Sequence, residues 1–167
     1  EVPFMRPAHL ADDHTATSPV MVHAIEQALQ AGWPVTHVCC IYPGVPLLAA
    51  EDLRAALRLL EEGVADFVFP VLRFESAVQR AMLRGADGRM QPMYPEFTAT
   101  RTQDLQPAYH DAGQFYWATT EAWQSGRSAH AGGRGLVVPP ERAVDIDNPE
   151  DWARAEALYA LQRQLSK

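Results

Sequence analysis

Val35-Thr36-His37-Val38-Cys39-Cys40-Ile41-Tyr42, then Glu51 to Glu62, then Asp66-Phe67-Val68-Phe69-Pro70-Val71-Leu72 are the stretches that decide the fold. The first is an apolar run of strand length, rich in β-branched residues and cysteine. Its near-continuous apolar character suits a parallel strand covered on both faces. The second sets Leu53, Leu57 and Leu60 on one side and arginines on another, which is amphipathic helix spacing, and Gly63 stops it. The third reads as another buried strand. Pro70 is expected near its end or at an edge, because proline cannot donate to a ladder.

Upstream, Ser18 can cap a helix with Pro19 at its first position. Val20, Ala24, Ala28 and Leu29 then recur at helical spacing, and Gly32 ends the helix. Residues Glu1 to Thr17 read as a strand end plus loop. Helix, strand, helix and strand in this order, with short connections, give the α/β class: a doubly wound sheet with right-handed crossovers. Ligands of such sheets bind beyond the carboxyl ends of the strands, so the loop Tyr42-Pro43-Gly44-Val45-Pro46 is a candidate site.

Downstream, Val78 to Leu83 and Met90 to Pro92 read as a hairpin around Gly85-Ala86-Asp87-Gly88. Gln114 to Ala118 reads as a strand and Glu121 to Gln124 as a short helix. Ala131 to Gly135 is a flexible glycine-rich turn. Leu136 to Pro139 and Ala143 to Ile146 are short strands. Asn148 or Asp147 caps a last helix that Pro149 begins, with Trp152, Ala155 and Tyr159 as its apolar face. No repeat or linker divides the chain, so residues 1–167 form one domain.

The chain has 167 residues and a formal net charge of −7, which opposes a phosphate backbone and excludes nucleic acid as a partner. No apolar run is long enough to span a bilayer, so no membrane role is expected. Cys39 and Cys40 are strand neighbours that point to opposite faces, which excludes a mutual disulfide; they read as core thiols of a reducing, cytoplasmic compartment. The histidines lack zinc-ligand spacing, and no glycine-rich phosphate loop precedes a helix.

Four segments can carry chemistry. Asp145 and Asp147 flank Ile146 at an expected strand end, where period two places both carboxylates on one face. Two hard oxygen ligands suit Mg²⁺ held together with phosphates. The alternative is that Asp147 caps the helix and Asp145 is merely exposed. Tyr109-His110-Asp111-Ala112-Gly113-Gln114-Phe115-Tyr116-Trp117 interleaves rings and polar groups, either as the wall of a sugar pocket or as a core strand with its turn. Arg101, in Thr100-Arg101-Thr102-Gln103-Asp104-Leu105, offers a planar fork for carboxylate or phosphate, or is a solvated loop residue. The Tyr42-Pro43-Gly44 turn exposes backbone to a ligand.

In order along the chain, Glu1-Val2-Pro3-Phe4-Met5-Arg6-Pro7-Ala8, Leu10-Ala11-Asp12-Asp13-His14-Thr15, Tyr42-Pro43, Asp66 to Val71, Arg101 to Leu105, Tyr109 to Tyr116 and Val144-Asp145-Ile146-Asp147 resemble the acylneuraminate cytidylyltransferase family, in particular its pseudaminate branch. The resemblance implies a nucleotide-diphospho-sugar transferase fold, Rossmann-like, with a mixed sheet flanked by helices. It implies Mg²⁺-dependent transfer of CMP from CTP to the anomeric hydroxyl of a nine-carbon acidic sugar, with release of pyrophosphate. By position, Asp145 and Asp147 are the implied catalytic metal pair. Tyr42, Arg101, Gln103, Tyr109, Gln114, Phe115 and Tyr116 are the implied sugar contacts, and Thr15 and Thr17 the nucleotide contacts. A homodimer joined through residues 74–107 is also implied.

Two departures stand out. Gly44 and Val45 replace the Thr-Ala usual in this branch. The basic phosphate loop and first strands that open family members are not in this sequence. The expectation is therefore a sheet lacking its first strands, and a chain inactive as given if it is a true fragment. The same chemistry on sialic or legionaminic acid, and a non-catalytic sugar-binding remnant, are the competing readings.

Overall fold

A computed structural model describes residues 4–165; Glu1, Val2 and Pro3, part of the opening motif and of the expected strand end, lie outside the described residues. The elements are α1 (Thr17–Gln30), β1 (His37–Ile41), α2 (Ala50–Glu61), β2 (Phe67–Arg73), β3 (Met82–Arg84), β4 (Met90–Pro92), β5 (Tyr109–Asp111), β6 (Phe115–Thr119), α3 (Thr120–Gln124), β7 (Arg134–Val137) and α4 (Pro149–Leu165). The architecture is a mixed five-stranded sheet flanked by helices, with a separate β3–β4 hairpin.

β1 and β2 run in the same direction but are not neighbours. β6 lies between them, antiparallel to both, pairing Cys40 with Tyr116 and Val68 with Trp117. β7 runs parallel to β2 on its other edge. β5 continues the β6 edge further along β2, pairing Val71 with Asp111 and Arg73 with Tyr109. The expectation of a fully covered parallel β1 is thus corrected. Among the described residues β1 pairs only with β6, and its ends His37 and Ile41 are exposed.

Pro70 sits mid-strand with both edges of β2 occupied, not near an end. The Pro70 carbonyl accepts from Ala112 N at 3.0 Å. Its nitrogen therefore also faces the β5–β6 edge, where Ala112 to Gln114 leave the ladder. The missing donor coincides with that break, which is how a central strand tolerates proline.

Side chains alternate across the sheet. Phe67, Phe69, Val71 and Tyr116 pack on Ile25 of α1 and Trp123 of α3. Val68 and Phe115 pack on Ala56 and Leu60 of α2. Full burial of a side chain such as Phe115 contributes about 1.5–3 kcal/mol. Cys40 joins the first layer and Cys39 the second, both as free thiols, as their strand positions require.

Other boundaries shift. Ser18 does not cap α1; the helix starts at Thr17, with Ala16 before it and no side-chain cap. Val78–Arg80 is a single 3₁₀ turn, and the hairpin strand starts at Met82. Residues 143–146 form no strand. Asn148 caps α4, accepting from Glu150 N at 2.9 Å and Asp151 N at 3.0 Å. Ala155 and Leu158 face Leu47 and Val144, whereas Trp152 and Tyr159 are more than half and half exposed. The buried stripe thus runs one step away from the ring-bearing positions. No described helix is long and apolar enough to cross a membrane.

Candidate active site

The carboxyl ends of β1 and β2 meet the β5–β6 kink at one edge of the sheet, and the kink builds the site. Gly113 adopts φ +65°, a left-handed conformation that favours glycine, and its N–H donates to Asp111 Oδ1 at 2.8 Å. The kink turns Gln114 inward, where it is 1% exposed. Its carbonyl accepts from Tyr42 N at 3.0 Å and its Nε2 donates to the Arg142 carbonyl at 2.7 Å. Gln114 Oε1 is a buried acceptor without a partner among the described residues.

On the α1 side lies a pocket of about 310 Å³. Thr17, Tyr42, Tyr116 and Trp123 line one side and the segment Gly126 to His130 the other. Thr17 Oγ1 and the Tyr42 hydroxyl are hydrogen bonded at 3.1 Å. The Tyr42 and Tyr116 rings lie 5.6 Å apart. Tyr116 donates its hydroxyl to Asp111 Oδ2, and His130 Nε2 donates to the same oxygen at 2.7 Å. Burial pushes the Tyr116 phenol well above its ordinary pKa, and its bond to the Asp111 carboxylate adds to this. Tyr116 is therefore a fixed donor at neutral pH, not a base.

Beyond the carboxyl ends of β2 and β7 opens a larger cleft of about 1070 Å³. Asp145, Asp151, Arg73, Arg154 and His110 are among the residues that line it. Asp145 lies beside the kink: a Cβ on Gly113 would stand 3.6 Å from its carboxylate. Asp147 is exposed on the next turn but does not line the cleft, and its N–H donates to Asp151 Oδ2 at 3.1 Å.

No described trio of histidine, cysteine or acidic side chains forms a ready metal cage. The expected strand that would set Asp145 and Asp147 on one face is absent, and only Asp145 lines the cleft, so what fits Mg²⁺ is the donor type of the pair rather than a preformed arrangement. The Asp145 and Asp147 carboxylates are exposed and carry no ion pair among the described residues. Mg²⁺ characteristically takes one or two carboxylates and completes its shell with water and substrate phosphate.

The other expected residues scatter. Phe115 is fully buried towards α2 and does not wall the pocket. Tyr109 is 45% exposed on β5. Arg101 is exposed and bidentate to Asp104, at 2.8 and 3.2 Å, and Gln103 lies exposed in the same turn. Thr15 is tied to Asp12, whose carboxylate accepts from its hydroxyl and from His14 N and Thr15 N. These bonds hold Asp12 below the usual carboxylate range, the His14 amide contributing most. Burial raises both thiols, Cys39 to about 12, which suits packing rather than nucleophilic work.

The structure adds Asp111 and His130 to the sequence-derived set. Asp111 was within reach, being inside the aromatic segment. His130 stands alone beside a glycine-rich turn, and no local pattern distinguishes it.

The chain is 32% identical over 165 residues to the pseudaminic acid cytidylyltransferase of Campylobacter jejuni serotype O:2, covering 98% of this chain and 71% of that protein. It is 32% identical over 124 residues to a Helicobacter pylori protein named pseudaminic acid cytidylyltransferase and UDP-2,4-diacetamido-2,4,6-trideoxy-beta-L-altropyranose hydrolase, covering 74% of this chain and 23% of that protein. It is 25% identical over 136 residues to N-acylneuraminate cytidylyltransferase B of Danio rerio, covering 81% of this chain and 32% of that protein. No model of a protein family matches the chain.

Proposed function

The chain belongs to the pseudaminic acid and N-acylneuraminate cytidylyltransferases, which are nucleotidyltransferases, and from that premise we propose that its substrates are CTP and pseudaminic acid. The anomeric hydroxyl of the sugar acid attacks the α-phosphorus of CTP. A new O–P bond forms, the bond to the β-phosphate oxygen breaks, pyrophosphate leaves and the hydroxyl proton passes to solvent. The observation that carries the sugar assignment is the match to the Campylobacter enzyme, over 98% of this chain and 71% of that protein, together with the Tyr42–Tyr116 pocket.

Asp145 and Asp147 are the residues that would hold Mg²⁺. When bound, the ion neutralises phosphate charge and acidifies a coordinated hydroxyl. Tyr42, Gln114 and Tyr116 orient the sugar. Thr17 sets the Tyr42 hydroxyl, and the buried Gln114 acts through Tyr42, whose N–H donates to the Gln114 carbonyl. Thr15 and Thr17 approach the nucleotide, while Arg101, Gln103 and Tyr109 contact the sugar from the outer side. This reading places the protein in the cytoplasm, where CTP is made available. It also takes the chain as a homodimer joined through residues 74–107. Support comes from the exposed apolar residues of that excursion, with Met82 at 59%, Leu83 at 54% and Met90 at 51%.

Pyrophosphate release by the complete enzyme, its phosphate loop included, with Mg²⁺, CTP and each of pseudaminic, legionaminic and sialic acid tests the proposal. Preference for pseudaminic acid supports it. Equal rates overturn the narrow substrate, and no release with any of the three overturns the activity. Light scattering tests the dimer, which a monomer at high concentration contradicts.

A further inference from the structure

We propose that Asp111 and His130 are positioning residues which pin the segment between α3 and β7 over Tyr42 and Tyr116 and so set the width of the substrate pocket. The inference rests on the sugar-binding role given to that pocket above.

The segment 125–133 has no helix or strand of its own, yet Gly126 to His130 form one whole side of the pocket. Something must hold it. Arg127 pairs with Asp66 at 2.5 Å, but both side chains are more than half exposed, and such pairs contribute little. The stronger anchors lie further along. Gly133 approaches so closely that a Cβ there would stand 2.2 Å from the Ala129 carbonyl and 2.8 Å from the Phe69 ring. This folds the segment down onto Phe69, whose ring meets that of His130 edge-on at 5.2 Å. His130 Nε2 is thereby delivered to Asp111 Oδ2.

Asp111 is well placed to receive it. Its side chain is 23% exposed, so although His130 is itself 61% exposed, the carboxylate end of the bond is sheltered where that of Asp66 is not. The same oxygen accepts from Tyr116, and the other accepts from Gly113 N. One carboxylate therefore joins the kink, the aromatic wall and the facing segment. Displacing His130 frees the segment and removes one of the two donors that fix the oxygen on which Tyr116 rests.

The test compares His130→Ala with His130→Gln in the complete enzyme, reading KM and kcat separately. His130→Ala is expected to raise KM for pseudaminic acid about tenfold, the effect of one hydrogen bond to a charged group, with kcat changed much less. His130→Gln keeps an N–H donor near the Nε2 position and is expected to restore most of the loss. An unchanged KM in His130→Ala overturns the proposal. Equal impairment of both variants also overturns it, because ring packing on Phe69 would then be the cause. The unaltered protein gives a second readout that does not depend on a variant folding. Pseudaminic acid is expected to slow modification of His130 by diethyl pyrocarbonate, followed by peptide mass mapping, and an unchanged rate overturns the proposal. If the unaltered protein neither binds the sugar nor releases pyrophosphate, the functional reading falls and this inference with it. If it does both while His130 is indifferent, this inference alone falls.

Discussion

Tyr116 donates its phenolic proton to Asp111 across the kink that separates β5 from β6. The bond ties two residues of one edge that the ladder itself leaves unconnected. Tyr116→Phe keeps the ring contacts with Tyr42 and Phe69 but deletes the donor. Stability should fall by about 1.5–3 kcal/mol, read by chemical denaturation, since a hydrogen bond to a charge is lost. A loss below about 0.5 kcal/mol would show that Gly113 and His130 satisfy the carboxylate alone.

Gly133→Ala should be among the most damaging single-methyl changes in the molecule. The added carbon would overlap backbone at Ala129, which cannot turn aside as a side-chain tip can. A loss of about 1–3 kcal/mol is expected, as for overpacking. Partial proteolysis between Gly126 and Gly132 should accompany it, and a variant as stable and resistant as the parent would contradict the tight approach.

Asp145→Asn should separate function from folding. The carboxylate is exposed and unpaired among the described residues, so stability should stay within about 0.5 kcal/mol. Pyrophosphate release should drop by roughly 10²–10³, the scale on which single charge-stabilising groups act. Retained turnover would remove Asp145 from the reaction.

The thiols give a pH test. Burial raises Cys39 to about 12 and lifts Cys40 as well. A raised folded pKa means the contribution to stability is full below the ordinary thiol value and fades as pH climbs towards 12. At pH 8 neither cysteine should react with a disulfide reagent unless denaturant is added. Prompt labelling in the folded state would show that the two layers open around β1.

Local chemistry made much of this fold readable in advance. α2, β2, the β3–β4 turn and the start of α4 are set by periodicity, glycine stops and the Asn148-Pro149 cap, all of which act within a few residues. The insertion of β6 between β1 and β2 was not readable, because its partners are distant in sequence and nothing in Phe115 to Thr119 names them. The same limit applies to the site. Tyr42, Gln114, Tyr116 and Asp145 were marked by motif; Tyr42 and Tyr116 share the α1-side pocket, Asp145 lines the other cleft, and Gln114 is buried at the kink and lines neither. The strand expected around Asp145 is absent because Val144 turns in towards Leu47 and Ala155 instead of joining a ladder. Of the apolar face expected for α4, Ala155 is buried, while Trp152 and Tyr159 at the same helical spacing stay half exposed because Leu158 packs beside Ala155 instead.

The antiparallel β6 has a consequence for how the chain is made. β1, α2 and β2 are contiguous, yet the two strands share no ladder of their own and wait for Thr119 to leave the ribosome before β6 can join them. Until then the apolar faces of both strands stand open to other nascent chains. Synthesis speed between Arg73 and Thr119, where the excursion 74–107 is translated, thus governs how long the chain is vulnerable to aggregation.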